Sequence, residues 1–221
     1  KAFSAHVRQR DPHPHPIAMS VGFLGDSFEE FANDPNVDIY NVMKLERLSA
    51  DEIHQRGLGY FAAAEDRYVC NFAETHGYGK GATARQKNWA GSMSGCYTMV
   101  HGHHIYNNSD QDLRDCGVVT EFFEKYVDFY RMIPNNQLAQ QDTKYVLADQ
   151  RRNRYVLYSR KASKEGAMKL LGIPDGEYEL AWIDCITGAV TEERKKVEGG
   201  IFRKPEGVGP EVAVSVWPRG E

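Results

Sequence analysis

Nowhere in the 221 residues does an apolar run approach the roughly 20 that a membrane-spanning helix needs, and Lys1 to Arg10 lack the apolar core of a signal peptide. Cysteine is sparse. Cys70, Cys96, Cys116 and Cys185 are widely spaced with no CxxC pair, which argues against a zinc ribbon or a thioredoxin-like redox centre and favours buried free thiols. A surplus of either charge is also missing. The 27 basic and 31 acidic side chains are interspersed at a net charge of −4, so no basic face is offered to nucleic acid or to an anionic membrane. Gly77-Tyr78-Gly79-Lys80-Gly81 has the glycines of a phosphate loop without the GK[ST] ending or the strand-to-helix spacing, and reads as a rim or lid loop. What is present is 41% hydrophobic and 11% aromatic content, enough for one large or two modest cores.

Hydrophobic period divides the chain. Residues 17–23 form a short apolar run bounded by Pro and Gly, predicting a buried strand, with a helical turn at 26–31. A second strand is predicted at 37–43, then a helix that starts on Ser49-Ala50-Asp51-Glu52 and runs to Ala64. The third strand, 67–74, ends on the carboxylate of Glu74. Thr83 is the expected cap of a helix running through Trp89 to about Gly95, a fourth strand follows at 96–101, and a long amphipathic helix spans 113–132. Four β/α units in series imply a parallel sheet. Such a sheet has two unpaired edges, which predicts completion by the first half of a closed barrel. The opening residues, already entering a strand at Asp11-Pro12-His13-Pro14-His15-Pro16, fit an upstream native start.

After Pro134 the pattern changes. Strands are predicted at 145–148 and 154–159 around the turn 149–153, at 176–184 before the turn Thr187-Gly188, and at 212–217. Short strands punctuated by turns predict an antiparallel β-sandwich over 135–221, after an α/β domain over 1–134.

Taken together, the Asp11-Pro12 and His15-Pro16 approach, the Asn71-Phe72-Ala73-Glu74 strand end and the Trp89 to Gly102 stretch resemble strands five to eight of the apiosidase-like glycoside hydrolases. Those have a clan-A type (β/α)₈ TIM barrel and often a C-terminal collagen-binding-type β-sandwich. Trp182-Ile183-Asp184-Cys185-Ile186-Thr187-Gly188 is similar to the W-x-D-x-x-T-G signature of that sandwich. The resemblance implies a retaining, polysaccharide-degrading hydrolase with no cofactor or metal and an extracellular or periplasmic setting. Glu74 would be the nucleophile of strand seven, and the strand-four acid/base would lie before Lys1, leaving this chain alone inactive. Retaining chemistry needs two carboxyl groups about 5–5.5 Å apart, so a partner barrel half in the same or a separate chain, or a homo-oligomer, is expected.

Around Glu74 the substrate-binding candidates are Asn71, His15, Tyr78, His101 and His103, all able to hydrogen-bond or stack on sugar. Each has a plainer reading. Glu74 could be a polar strand terminus paired with Arg85 or Lys87 in solvent, the residues 101–104 an ordinary polar loop, and proline-flanked His13 and His15 structural. Trp89 inside a helix pattern reads as core, and Trp182 and Asp184 as a core anchor and a turn residue. The rival to a hydrolase is a non-catalytic protein in which a half-barrel serves as a platform and the sandwich binds carbohydrate or matrix.

Overall fold

Four short strands, β1 (Ala18–Val21), β2 (Ile39–Met43), β3 (Val69–Glu74) and β4 (Tyr97–Thr98), lie side by side in chain order, each parallel to the one before. The computed structural model describes residues 1–21, 34–43, 47–74, 79–98, 108–163 and 167–219, and the chain divides into two compact units, Lys1–Ser109 and Asp110–Glu221. The first unit adds every strand on the same side of the last, an order that barrels share and that a doubly wound sheet breaks at its switch point. Its helices, among the described residues, are α1 (Ala2–Arg10), α2 (Ala50–Ala64) and α3 (Ala82–Ser92).

Helix α2 begins where Ser49 predicts. The Ser49 hydroxyl accepts from the Glu52 amide at 3.3 Å while the Glu52 carboxylate accepts from the Ser49 amide at 2.7 Å, a reciprocal capping box. The Ser49 amide and hydroxyl, both donating to the Glu52 carboxylate, hold it below its usual pKa. Helix α3 corrects the expected cap. Gly81, at φ +56°, precedes the helix and Thr83 lies inside its first turn, because the chain turns through a backbone conformation that threonine avoids. Helix α1 had no sequence signal: it is polar, and only Ser4 is buried. Polar ties hold it instead, Ser4 Oγ donating to Asp34 at 2.5 Å and Arg8 to Asp38 at 2.5 Å and to the Asn36 carbonyl at 2.9 Å.

One face of the sheet supplies the core. Tyr40, Val42, Cys70 and Phe72 pack with Ile53, Ala64, Ala84 and Cys96. Helix α3 rides so close to this face that a Cβ on Gly91 would stand 2.8 Å from Thr98 Oγ1 and 3.0 Å from the Phe72 ring.

The second unit opens with helix α4 (Asp110–Tyr126), shorter than the expected 113–132 at its carboxyl end, where a 3-10 turn at Phe129–Arg131 intervenes. Sequence composition placed the boundary after Pro134, yet the compact units part before α4. The helix is tied to later parts of its own unit: Tyr126 Oη donates to Glu192 at 3.2 Å, and Trp217 Nε1 donates to the Tyr126 carbonyl at 3.1 Å.

Among the described residues nine strands come after α4: β5 (Ile133–Pro134), β6 (Ala139–Gln141), β7 (Tyr145–Asp149), β8 (Arg154–Ser159), β9 (Ala167–Leu170), β10 (Gly176–Asp184), β11 (Val190–Val197), β12 (Ile201–Arg203) and β13 (Val212–Pro218). They make a six-stranded sheet in the order β11-β10-β13-β8-β7-β5 and a three-stranded sheet β12-β9-β6, with antiparallel pairing throughout. Leu157, Leu180, Trp182 and Val214 of the first share one core with Met168, Leu170 and Phe202 of the second.

Trp182 is fully buried, as its alternating strand predicts. Asp184 is a turn residue, also as expected. Its carboxylate accepts from the amides of Ile186, Thr187 and Gly209 at 2.8, 3.0 and 2.9 Å, and its carbonyl from Gly188 at 2.8 Å. The Trp-x-Asp-x-x-Thr-Gly pattern thus encodes a core anchor and the turn after it. None of the helices among the described residues is long and apolar enough to cross a membrane.

Candidate active site

Residues on the other face of the parallel sheet do not pack into that core. Register aligns Ser20 with Asn41, Asn41 with Asn71, and Asn71 with Tyr97, one row across four strands. Asn71 Nδ2 donates to Asn41 Oδ1 at 3.1 Å, and Asn41 Nδ2 to Ser20 Oγ at 3.3 Å. Beside this polar ladder Val69 is 43% and Tyr97 46% exposed, large apolar groups left open on a sheet surface. Asn41 and Ser20 were missed in the sequence, although a lone Asn between Tyr40 and Val42 in an apolar strand was a visible signal.

At the carboxyl end the register breaks. Val42 pairs with Phe72, but Met43 pairs with Glu74, leaving Ala73 as an extra residue. Alternation alone would put Glu74 in the same row set as Cys70 and Phe72, toward the helices. The bulge moves its backbone position to the row of Met43, which follows Asn41 on the open face, and bulges re-aim strands in this way.

Of the residues singled out in the sequence, Glu74 and Asn71 therefore belong to one strand and, by register, to one face. Glu74 is described by its backbone. Tyr78, His101 and His103 lie outside the described residues, as does the helical turn expected at 26–31. Strands expected at 17–23 and 96–101 are described as far as Val21 and Thr98.

His15 lies apart from Glu74. It lies three residues ahead of β1, at the amino end of the sheet, whereas Glu74 closes β3 at the carboxyl end. Proline-flanked extension does bring its ring edge-on to His13, 5.8 Å between centroids, but its Nδ1 meets the Asp11 carboxylate at 3.0 Å. The His13 amide, with further help from His15, keeps the Asp11 carboxyl below its usual pKa. This is a local turn, knotted to α1 by the Arg8 bond to the His15 carbonyl.

Arg85 and Lys87, the cations proposed as solvated partners of Glu74, are buried at 7% and 5% exposure. Trp89 is fully buried core. Among the described residues no group of three or more His, Cys, Asp or Glu side chains is placed to hold a metal ion.

A separate concavity lies in the second unit, about 370 Å³ in volume, where the end of α4 meets β10, β11 and β13. Ala181 and Ser215, cross-strand neighbours, are among the residues lining it, together with Tyr126, Trp217, Glu192 and the Glu179–Arg194 pair at 3.1 Å.

No protein-family model matches this sequence, and no curated protein matches it. Solved structures do share its fold. A family 5 glycoside hydrolase from Bacteroides vulgatus superimposes with a TM-score of 0.71 at 9% identity, covering 100% of this chain and 58% of its own. Another glycoside hydrolase gives 0.68 at 11%, covering 100% and 61%. A family 30 endoxylanase from Clostridium papyrosolvens gives 0.57 at 11%, covering 98% and 59%. The chain spans about three fifths of the length of these structures. At such identities the likeness is one of fold.

Proposed function

We propose that this chain is the carboxyl-terminal part of a retaining, polysaccharide-degrading glycoside hydrolase: strands five to eight of a (β/α)₈ barrel followed by an antiparallel β-sandwich. Glu74 is the nucleophile and Asn71 a substrate contact beside it, with Tyr78, His101 and His103 as further proposed contacts to the sugar. The observation that supports this reading is the bulge at Ala73, which brings the backbone of Glu74 into register with Met43 at the carboxyl end of a parallel strand. That end is where barrels of this class gather their catalytic groups. The likeness in fold to glycoside hydrolases of families 5 and 30 supports it.

In the proposed reaction the Glu74 carboxylate attacks the anomeric carbon as the glycosidic C–O bond breaks, giving a glycosyl ester. A second carboxylic acid protonates the leaving oxygen and then, as base, takes a proton from the water that cleaves the ester. That acid/base comes from the strands that complete the sheet, in the same polypeptide or a partner, and no cofactor takes part. This reading leaves out His15, which precedes β1 while Glu74 closes β3.

The test uses the full native polypeptide and a 2-deoxy-2-fluoro glycoside, which forms the ester faster than water removes it. Mass spectrometry should find the label on Glu74, and Glu74→Gln should end turnover while sugar binding persists. Label on another carboxylate of an active enzyme would sink the assignment.

The second reading, a carbohydrate-binding role without catalysis, is favoured by the 370 Å³ concavity with its Trp217 and Tyr126 rings and charges of both signs. Aromatic rings stack on sugar faces, and the volume lies within the ~300–1,000 Å³ of ligand sites. Trp217→Ala should then abolish binding of neutral oligosaccharides measured by isothermal titration calorimetry. Undiminished binding in that variant would remove the reading.

A further inference from the structure

Two cysteines absent from the chemistry above face each other across the parallel sheet. Register pairs Asn71 with Tyr97, which sets Cys70 opposite Cys96, the residue leading into β4. Neighbouring strands run about 4.8 Å apart, inside the ~4.4–6.8 Å Cα separation a disulfide accepts. Both thiols are free, and they are 3% and 0% exposed within one core cluster. Each donates to a carbonyl of helix α2, Cys70 Sγ to Tyr60 at 3.4 Å and Cys96 Sγ to Gly57 at 3.6 Å.

The two thiols interact: Cys96 lowers the pKa of Cys70, while Cys70 and burial raise that of Cys96. One sulfur is thereby made the better nucleophile and the other remains a thiol beside it. The remaining cysteines differ. Burial and the charges of Asp115 and Asp112 push Cys116 to about 11, and Cys185 lies buried in the other unit.

We propose that Cys70 and Cys96 form an oxidisable pair that closes into a disulfide, fastening β3 to the entry of β4 four residues before Glu74. With the diazene oxidant diamide, the Cys70 thiolate adds to the N=N bond. The Cys96 sulfur then displaces the nitrogen, forming the S–S bond. Two thiol protons and two electrons end on the hydrazine product. A glutathione disulfide couple reaches the same product by two exchanges, releasing two glutathione thiols.

The experiment treats the folded chain carrying Cys116→Ser and Cys185→Ser with diamide, then denatures it, alkylates it and measures its mass. The expected result is the loss of two hydrogens, no alkylation, a peptide linking Cys70 to Cys96, and full reversal by dithiothreitol. A melting temperature several degrees above that of the reduced form accompanies it, and a further Cys70→Ser change abolishes all of these. Two alkylated thiols, or an intermolecular link alone, overturn the proposal. Peptide mapping of the oxidised chain with all four native cysteines tests the pair independently of the substitutions: a Cys70–Cys96 peptide sustains the proposal and its absence ends it.

Discussion

Sheet edges are handled differently in the two units. The six-stranded sheet ends on β11, whose Glu192, Glu193, Arg194, Lys195 and Lys196 discourage pairing, and on β5, two residues long. Charge and brevity are the usual guards of an edge. The parallel sheet ends on β4, as short among the described residues as β5, and on β1, Ala-Met-Ser-Val, which carries no charge; its open face leaves Val69 and Tyr97 in solvent. Both units leave some large apolar side chains in solvent, Ile133 and Val190 in the second as well as Val69 and Tyr97 in the first, so the difference lies at the edge: β1 offers an uncharged strand to further strands where β11 offers a charged one. The proposal of a completing barrel half rests on that contrast.

The comparison is most sharply tested at Trp182, fully buried in the core shared by the two antiparallel sheets. Trp182→Ala should cost about 3–5 kcal/mol. Calorimetry of the variant should show one transition falling steeply while the other holds. A single transition that shifts as a whole would show the units unfold together and remove the contrast.

Next in size is Gly57, where a Cβ would stand 1.9 Å from Ser94 Oγ and 2.6 Å from Ser94 Cβ. Gly57→Ala should overpack the first unit by about 1–3 kcal/mol, read as a lower urea midpoint. An unchanged midpoint would mean this helix seat has slack.

The smallest effect is electrostatic. Burial raises the pKa of Asp38, but the Ile17 amide and the Arg8 guanidinium outweigh it and hold the carboxyl below its usual value. A depressed carboxyl stabilises the fold above its unfolded pKa, about 3.9, and loses that contribution as pH falls through the folded value. Asp38→Asn should therefore be slightly less stable at pH 7, with the gap closing below about pH 4. A gap that stays constant down to pH 2 would assign it to packing rather than charge.

Much of this architecture was legible locally. The Ser49 to Glu52 cap, the apolar strands around 39–43 and 69–74, and the Trp182 to Gly188 motif all depend on neighbours within a few residues. Helix α1 was not legible, since its ties run from Ser4 to Asp34 and from Arg8 to Asp38. Strands β5, β6, β9 and β12 were missed because two to four residues carry too little period to register, and β11 because Thr191 to Lys196 are polar on both faces and show no alternation.

What the sequence alone determined is the alternation of strand and helix before the switch to short strands, and a carboxylate at the end of the third strand. Tertiary structure decided that His15 belongs to the far end of the sheet, that α4 joins the second unit, and that Asn41 stands beside Asn71. It also decided the row of Glu74, because a bulge exists only in the pairing of β2 with β3, two segments some thirty residues apart whose register neither encodes by itself.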